Sequence, residues 1–574
     1  MKQLLSCVGK YKKQTLLTPF MVVGEVVVDI MIPLLMSRII DVGIQNRDVG
    51  YVARVGGLMV LCALVALAFG ALSGRFAAVA SMGFAKNVRR KLFYKIQDFS
   101  FANMDKFSTA SLVTRLTTDV TNTQMAYMMC IRMLVRAPIM LICATAMTVS
   151  INARLALVFF VAIPVLGTVL YLIATRAYPR FQAMLTRYDG LNARVEEGLI
   201  AIRVVKAFVR HEYEEEKFEK EADALRAAQK RAEKLVILNM PAMQLTMYAC
   251  ILSILWFGGN MIVGGTMGTG ELMSFISYVT QILMSLMMLS MVFVNLVLSR
   301  ASVRRITEVL DEVPDIDDSA ADPGAQLKDG SIEFKDVSFS YSHKADNLTL
   351  QHIDLSIKSG ETIGIIGGTG SAKTTLVQLI PRLYDIDGGE LLVGGRDIKE
   401  YPLETLRDGV AMVLQKNVLF SGTIDDNLRW GDEHASEDQI REACRAADAD
   451  GFVSAFPDGY ETDLGQGGVN VSGGQKQRLC IARALLKRPK IVILDDSTSA
   501  VDTATDSRIR GALRTQLAGT TTIIIAQRIT SVMDADRIVV LDDGKISAVG
   551  THDELMQSSE IYREVYESQQ KGVA

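Results

Sequence analysis

The chain has 574 residues, of which 49% are hydrophobic and 22% charged, with a formal net charge of -3. Its mean hydropathy is +0.24, and positive hydropathy beside so much charge implies an apolar part and a polar part in one chain. The near-neutral balance argues against nucleic acid as a partner, and the seven cysteines, with no C-x-x-C pair, read as apolar fillers rather than a zinc site or disulfide framework.

The N-terminal MKQLLSCVGKYKKQ has no compact apolar core ahead of a cleavage site, so it does not read as a secretory signal. Six apolar stretches follow, at about 15–40, 54–80, 125–150, 154–177, 236–264 and 271–299. Each is near or above the roughly 20 residues that span a bilayer. They predict an α-helical, six-span transmembrane domain over residues 1–305 embedded in a lipid bilayer. Lys10, Lys12 and Lys13 precede the first span, and Lys86, Arg89, Arg90, Lys91 and Lys95 follow the second. Arg194, Arg203, Lys206 and Arg210 follow the fourth, and Arg300, Arg304 and Arg305 the sixth, whereas the GGTMGTG link between the fifth and sixth carries no charge. The positive-inside rule then puts both termini and both long loops in the cytoplasm of a multi-pass plasma-membrane protein. Within those loops, 109–120 (TASLVTRLTTDV) and 200–218 (IAIRVVKAFVRHEYEEEKF) mix apolar, basic and acidic residues and are suited to docking on another domain.

Glu25 and Asp29 lie four apart on one face of the first span, and Arg132 and Arg136 lie four apart in the third. Charge in hydrocarbon costs about 2.5–3.5 kcal/mol on insertion scales, so the acids should face a cavity or these two arginines. A packing pair and a substrate-linked site both satisfy that requirement. Met284, Met287, Met288 and Met291 form a stripe on the sixth span, which suits core packing or an adaptable substrate surface.

Residues 306–330 are acidic and contain proline and glycine, as an interdomain linker would. From 331 to 574, short apolar runs alternate with helical patterns, which predicts an α/β domain. The strand ETIGIIG leads into GGTGSAKTTLVQLI, whose Gly367, Thr369, Gly370, Ser371 and Ala372 form a phosphate-cradling turn before a helix. Lys373 would reach the β/γ-phosphates, Thr374 would bind Mg²⁺, and Thr375 completes the motif. Ala372 stands where the strict pattern has glycine. The strand KIVILDD (490–496) ends in Asp495, suited to the metal, and Asp496.

VSGGQKQR (471–478) resembles the signature sequence of ATP-binding cassette (ABC) proteins. Around it FKDVSFSY supplies Tyr341, MVLQKNVLF supplies Gln415, SAVD supplies Asp502, and IIIAQRI lies where a switch histidine belongs. The six-span half is similar to ABC exporters. The resemblance implies a P-loop cassette that binds ATP and Mg²⁺, with Tyr341 on adenine, Thr374, Gln415 and Asp495 at the metal, and Asp502 in the D-loop. It also implies that Ser472, Gly473, Gly474 and Gln475 cap the nucleotide of a partner cassette, and that 109–120 and 200–218 are coupling helices.

Four positions depart from the family pattern, namely Ala372, Gln466, Asp496 and Gln527. Asp496 replaces a glutamate that polarises water, and its carboxylate sits about 1 Å further back, a displacement that can cost on the order of 10²-fold. Gln527 replaces histidine and cannot carry its charge. Together they resemble the weak ATP site of a heterodimeric multidrug-type exporter, completed by a second half-transporter subunit and moving small amphipathic molecules. The alternatives are a lipid, peptide or metal-chelate substrate, or a slow homodimer. A soluble cassette ATPase is excluded by the six spans.

Overall fold

The computed structural model describes residues 2–344, 347–496, 501, 503–516 and 518–571, so the expectation for Asp502 falls outside the described residues. Among the described residues, six helices are long and apolar enough to cross a membrane: Gly9–Ile44, Val49–Gln97, Thr109–Ile151, Ala153–Ile200, His211–Val263 and Thr269–Asp311. Each contains one of the six predicted stretches. Most run well past bilayer length because polar helix continues beyond the apolar segment, as the loop composition predicts.

The chain divides into two units, Met1–Asp98 with Ser108–Glu312, and Phe99–Phe107 with Val313–Ala574. In the first unit, Phe159, Ile254, Phe275, Tyr278, Ile282 and Leu283 pack in one apolar cluster between spans. Polar side chains tie the sixth span to the first: Tyr278 donates to the Ile30 carbonyl at 2.8 Å and Ser274 to the Pro33 carbonyl at 2.6 Å. At the far end of the first span, Asp41 accepts from the N–H groups of Gly270 (2.6 Å) and Glu271 (3.0 Å), capping the first turn of the sixth-span helix. Gly270 is required there, since a Cβ would lie 2.4 Å from the Ser37 carbonyl oxygen and 2.7 Å from the Asp41 carboxylate.

The sixth-span helix continues to Asp311, past the expected domain end at 305, because Ile306, Val309 and Leu310 are buried. Segment 109–120 is held within this first unit. Arg305 Nε donates to Asp119 Oδ2 at 2.7 Å, Arg115 Nη1 donates to the Arg305 carbonyl at 2.6 Å, and Asp119 is fully buried. The residues that join the cassette instead lie just ahead, at 99–107. There Ser100 and Asn103 form a capping box at the start of the helix Phe101–Lys106. Tyr384 donates to Asp105 Oδ2 at 2.7 Å, and Phe101 meets the Tyr384 ring edge-on. The 200–218 segment turns at a short helix, Ile202–Ala207, with Ile200, Phe208 and Val209 each more than 70% exposed.

The intramembrane charges are resolved by one guanidinium. Arg136 binds Glu25 Oε1 through Nη1 and Asp29 Oδ2 through Nη2, the latter at 3.1 Å. Arg132 makes no ion pair among the described residues. It sits at a break in the third span (φ -117°, ψ -65°), against Gly74 of the second. Three of the four predicted charges therefore meet, and one does not. Along the methionine stripe, Met284 and Met291 are exposed on this chain and Met287 and Met288 half-buried, so none of the four is in its core.

The cassette has three sheets among its described residues. β1 (Ile332–Phe339), β2 (Leu350–Ile357), β4 (Gly388–Val393) and β5 (Arg396–Asp397) form an antiparallel sheet in the order β2-β1-β4-β5. β3 (Thr362–Gly367), β6 (Val410–Val413), β9 (Ile491–Asp495), β10 (Thr521–Ile525), β11 (Arg537–Asp542) and β12 (Lys545–Gly550) form the main sheet in the order β12-β11-β3-β10-β9-β6. β7 (Gly422–Thr423) and β8 (Asp463–Leu464) make a small pair. The central strands β3, β9 and β10 of the main sheet are buried on both faces. Ile491 and Ile493 of β9 enter a cluster with β1–β4, whereas Val492 and Leu494 enter one with the helices of residues 424–486.

The shared guanidinium gives a stability test. Arg136→Ala should destabilise the detergent-solubilised chain by about 3 kcal/mol, because it strands buried carboxylate. Adding Glu25→Gln and Asp29→Asn should restore much of the loss. An unchanged unfolding midpoint in the single variant would contradict the pairing.

Candidate functional site

Parallel pairing brings the chemical residues to one edge of the main sheet. Ile525 of β10 is level with Ile365 of β3 on one side and Asp495 of β9 on the other. The turn after β3, the two acids ending β9 and the segment after β10 therefore emerge side by side. β6 pairs with β9 through Val413 and Leu494, which puts Gln415 two residues beyond the same edge.

The phosphate-loop turn is closely built. A Cβ on Gly367 would meet the Leu541 carbonyl oxygen at 2.1 Å, so no side chain fits there. Gly370 has φ +86° and Ala372 φ +69°. Ala372 thus occupies a left-handed conformation that costs an L-residue about 1–2 kcal/mol, partly offset where its methyl packs against the β1–β4 cluster. The helix Lys373–Leu379 follows, with Thr375 buried and its hydroxyl 3.0 Å from that of Tyr341. Tyr341 is half exposed and meets Phe339 and Tyr384 edge-on. Lys373 Nζ donates to the carbonyls of Gly367 (2.9 Å) and Gly368 (2.7 Å), so the ammonium lies within the turn that Thr369, Gly370 and Ser371 complete. Burial lowers its pKa, opposed by the carboxylates of Asp495 and Asp496.

Thr374 Oγ1 donates to Asp495 Oδ1 at 3.1 Å, while the buried Oδ2 of Asp495 has no hydrogen-bond partner among the described residues. A hydroxyl and an unsatisfied carboxylate oxygen at the end of a phosphate loop fit Mg²⁺, which takes few protein oxygens and otherwise water and phosphate. Burial raises the Asp495 pKa. The Thr374 hydroxyl and Lys373 oppose the rise, and the neighbouring Asp496 charge adds to it. Asp496 has φ +47°, and Gln527 Nε2 donates to its Oδ2 at 2.8 Å. The two positions that depart most from the cassette pattern are therefore in direct contact.

Ser472 caps the helix Gly473–Leu486. Its Oγ accepts from Gln475 N–H at 3.3 Å, and Gln475 Oε1 accepts from Ser472 N–H at 2.8 Å. Ser472 and Gly473 are exposed and Gly474 and Gln475 half-buried. The apolar face of this helix belongs to the second cassette cluster, whereas the phosphate-loop helix belongs to the first. Gln466, ahead of it, is exposed. Sequence reasoning did not single out Tyr384 or Asp105, or Gln569 near the C-terminus. The Ser100-x-x-Asn103 capping pattern was the available signal for the first group.

A divalent cation held at Asp495 would compete with protons, and the raised pKa would make that competition begin at higher pH than for an ordinary carboxylate. Asp496→Asn removes a like charge, so it should lower the Asp495 pKa. The acid limb of Mn²⁺ binding, measured by EPR with a non-hydrolysable nucleotide, should then move to lower pH. A limb that stays in place or moves up would contradict the coupling.

Residues 15–286 match the ABC transporter transmembrane region and residues 350–499 match the ABC transporter family. The chain is similar to the uncharacterized ABC transporter ATP-binding protein YfiB of Bacillus subtilis, at 38% identity over 569 residues, 99% of this chain and 98% of that one. It is also similar to the ATP-dependent lipid A-core flippase of Desulfotalea psychrophila, at 33% identity over 488 residues, 84% of each chain. Its fold is that of a bacterial Atm1-family ABC exporter solved with ATP bound, with a TM-score of 0.79 at 24% identity over 99% of this chain and 97% of the other. The chain therefore belongs to the ABC transporter family, as an exporter-fold half transporter with one membrane domain fused to one ATP-binding cassette.

Proposed function

We propose that this chain is the weakly hydrolysing half of a heterodimeric exporter that moves amphipathic, drug-like compounds out of the cytoplasm by alternating access. The observation that carries this reading is the 2.8 Å hydrogen bond between Gln527 and Asp496. A carboxylate one methylene short, with an oxygen occupied by an uncharged amide, is a poor general base for water. Each substitution alone weakens hydrolysis, and their contact favours a site adapted to hold nucleotide.

In this reading Tyr341 stacks on adenine, Lys373 and the N–H groups of Gly367–Thr375 hold the phosphates, and Thr374, Asp495 and Gln415 hold Mg²⁺. Bound Mg²⁺ would neutralise phosphate charge. Ser472, Gly473, Gly474 and Gln475 serve a site on the second subunit, which supplies the missing glutamate and histidine. The exposure of Ser472 and Gly473, and the anchoring of their helix in a separate cluster from this chain's own phosphate loop, support action in trans. Segment 99–107 belongs to the cassette unit while both its flanks belong to the membrane unit. Cassette movement therefore passes covalently to the second and third spans. The exposed Ile200, Phe208 and Val209 suit docking on the partner's cassette, and the lysines and arginines flanking the spans support cytoplasmic termini.

For substrate, the exposed Met284 and Met291, with Met288 beside them, offer an adaptable apolar surface. The Glu25–Arg136–Asp29 cluster offers charge within the membrane, and Arg132 a guanidinium with no ion pair among the described residues. Lipid is the second reading, favoured by the flippase among the relatives. Export of dyes from inverted vesicles, set against lipid translocation in the same preparation, separates the two.

Asp496→Gln should lower ATPase turnover of the assembled transporter by less than about twofold, whereas Ser472→Ala should lower it by about tenfold or more, because it strips the competent site of a donor. Complete loss of turnover in Asp496→Gln, or near wild-type turnover in Ser472→Ala, would contradict the assignment.

A further inference from the structure

The helix Glu560–Lys571 carries Gln569, whose side-chain amide brackets the switch segment. Its Nε2 donates to the Gln527 carbonyl at 2.7 Å, and its Oε1 accepts from the Ile529 N–H at 2.9 Å. One planar amide thus fixes the backbone on both sides of Arg528. Only a group with a donor and an acceptor in fixed geometry can make both bonds.

The helix that presents this amide is firmly seated. Tyr562 is fully buried and its hydroxyl lies 2.8 Å from His552 Nδ1. It packs in a cluster with Ile366 of β3, Ile529 of the switch segment and Val540 of β11. Ile366 immediately precedes the phosphate loop, so the helix is referenced to the strand that carries that loop. Gln527 is itself exposed and makes its side-chain hydrogen bond to Asp496. A continuous path therefore runs from Gln569 through the Gln527 backbone, then through its side chain, to the acid beside the metal-side aspartate.

We infer that Gln569 is a positioning residue for Gln527, and that through it the C-terminal helix sets how long this cassette retains nucleotide. The inference rests on reading this site as one that holds nucleotide. Without the amide, the Gln527 carbonyl and Ile529 N–H turn to water. The switch side chain must then be ordered anew at each binding event, which is the ordering cost that preorganisation avoids.

The test uses the assembled transporter in lipid nanodiscs, as wild type and as Gln569→Ala, Gln569→Glu and Gln569→Met. Glutamate keeps the acceptor but faces the Gln527 carbonyl without a donor. Methionine keeps the volume and helix propensity but makes neither bond. Each sample is loaded with photo-crosslinkable, α-³²P-labelled 8-azido-ATP and Mg²⁺, then chased with unlabelled ATP. The label remaining on this subunit is read after crosslinking and separation. All three variants should release label about three- to tenfold faster, the range set by loss of a hydrogen bond, with the unfolding midpoint unchanged. Unchanged release in the alanine and glutamate variants, or wild-type retention in the methionine variant, would overturn the inference. The chemical form of the label decides the underlying reading separately. Diphosphate on the wild-type subunit would remove the weak-hydrolysis assignment, while the variants' release rates would still decide the role of Gln569.

Discussion

The site depends on the parallel register of three neighbouring strands. β3, β10 and β9 pair so that Ile365, Ile525 and Asp495 stand level. The phosphate turn, the switch segment and the two acids can then meet only at one edge. A shift of one residue in either pairing would move the isoleucines of one packed cluster to the opposite face, where other side chains already fill the core. The core therefore enforces the site geometry, and the chemistry of the edge is left to the few side chains that project beyond it.

In the function proposed above, those side chains serve binding rather than cleavage. Lys373, Thr374 and Asp495 have the donors, hydroxyl and unsatisfied carboxylate oxygen that a magnesium–phosphate group needs. The next position holds a short carboxylate bonded to an amide where the family uses a longer acid and an imidazole. The signature helix is anchored in a different apolar cluster, and its capping box leaves Ser472 and Gly473 exposed. The proposed function accordingly gives one cassette both a holding site and a signature that serves another.

Features encoded locally were legible in the sequence. The six spans follow from length and composition, and the phosphate loop and signature from short motifs whose spacing is their mechanism. Features that depend on distant partners were not. Asp41 is one acid among many until the fold brings it to Gly270 and Glu271. Glu25 and Asp29 could be paired with either arginine of the third span, and the fold gives both to Arg136 while Arg132 lies against Gly74. The apolar and charged mixture at 109–120 drew attention, but Arg115 and Asp119 are committed to the sixth-span helix. The plainer FANMDK belongs with the cassette, because Asp105 and Phe101 meet Tyr384, a residue 279 positions beyond Asp105.

Retention of intact nucleotide at Lys373 is the central claim, and cryo-electron microscopy of the transporter during steady-state turnover with ATP and Mg²⁺ tests it most directly. The account predicts three phosphates against the loop of this chain across the populated states, with diphosphate confined to the partner's loop. Diphosphate at this chain's loop, in states as populated as those with diphosphate at the partner's, would contradict it.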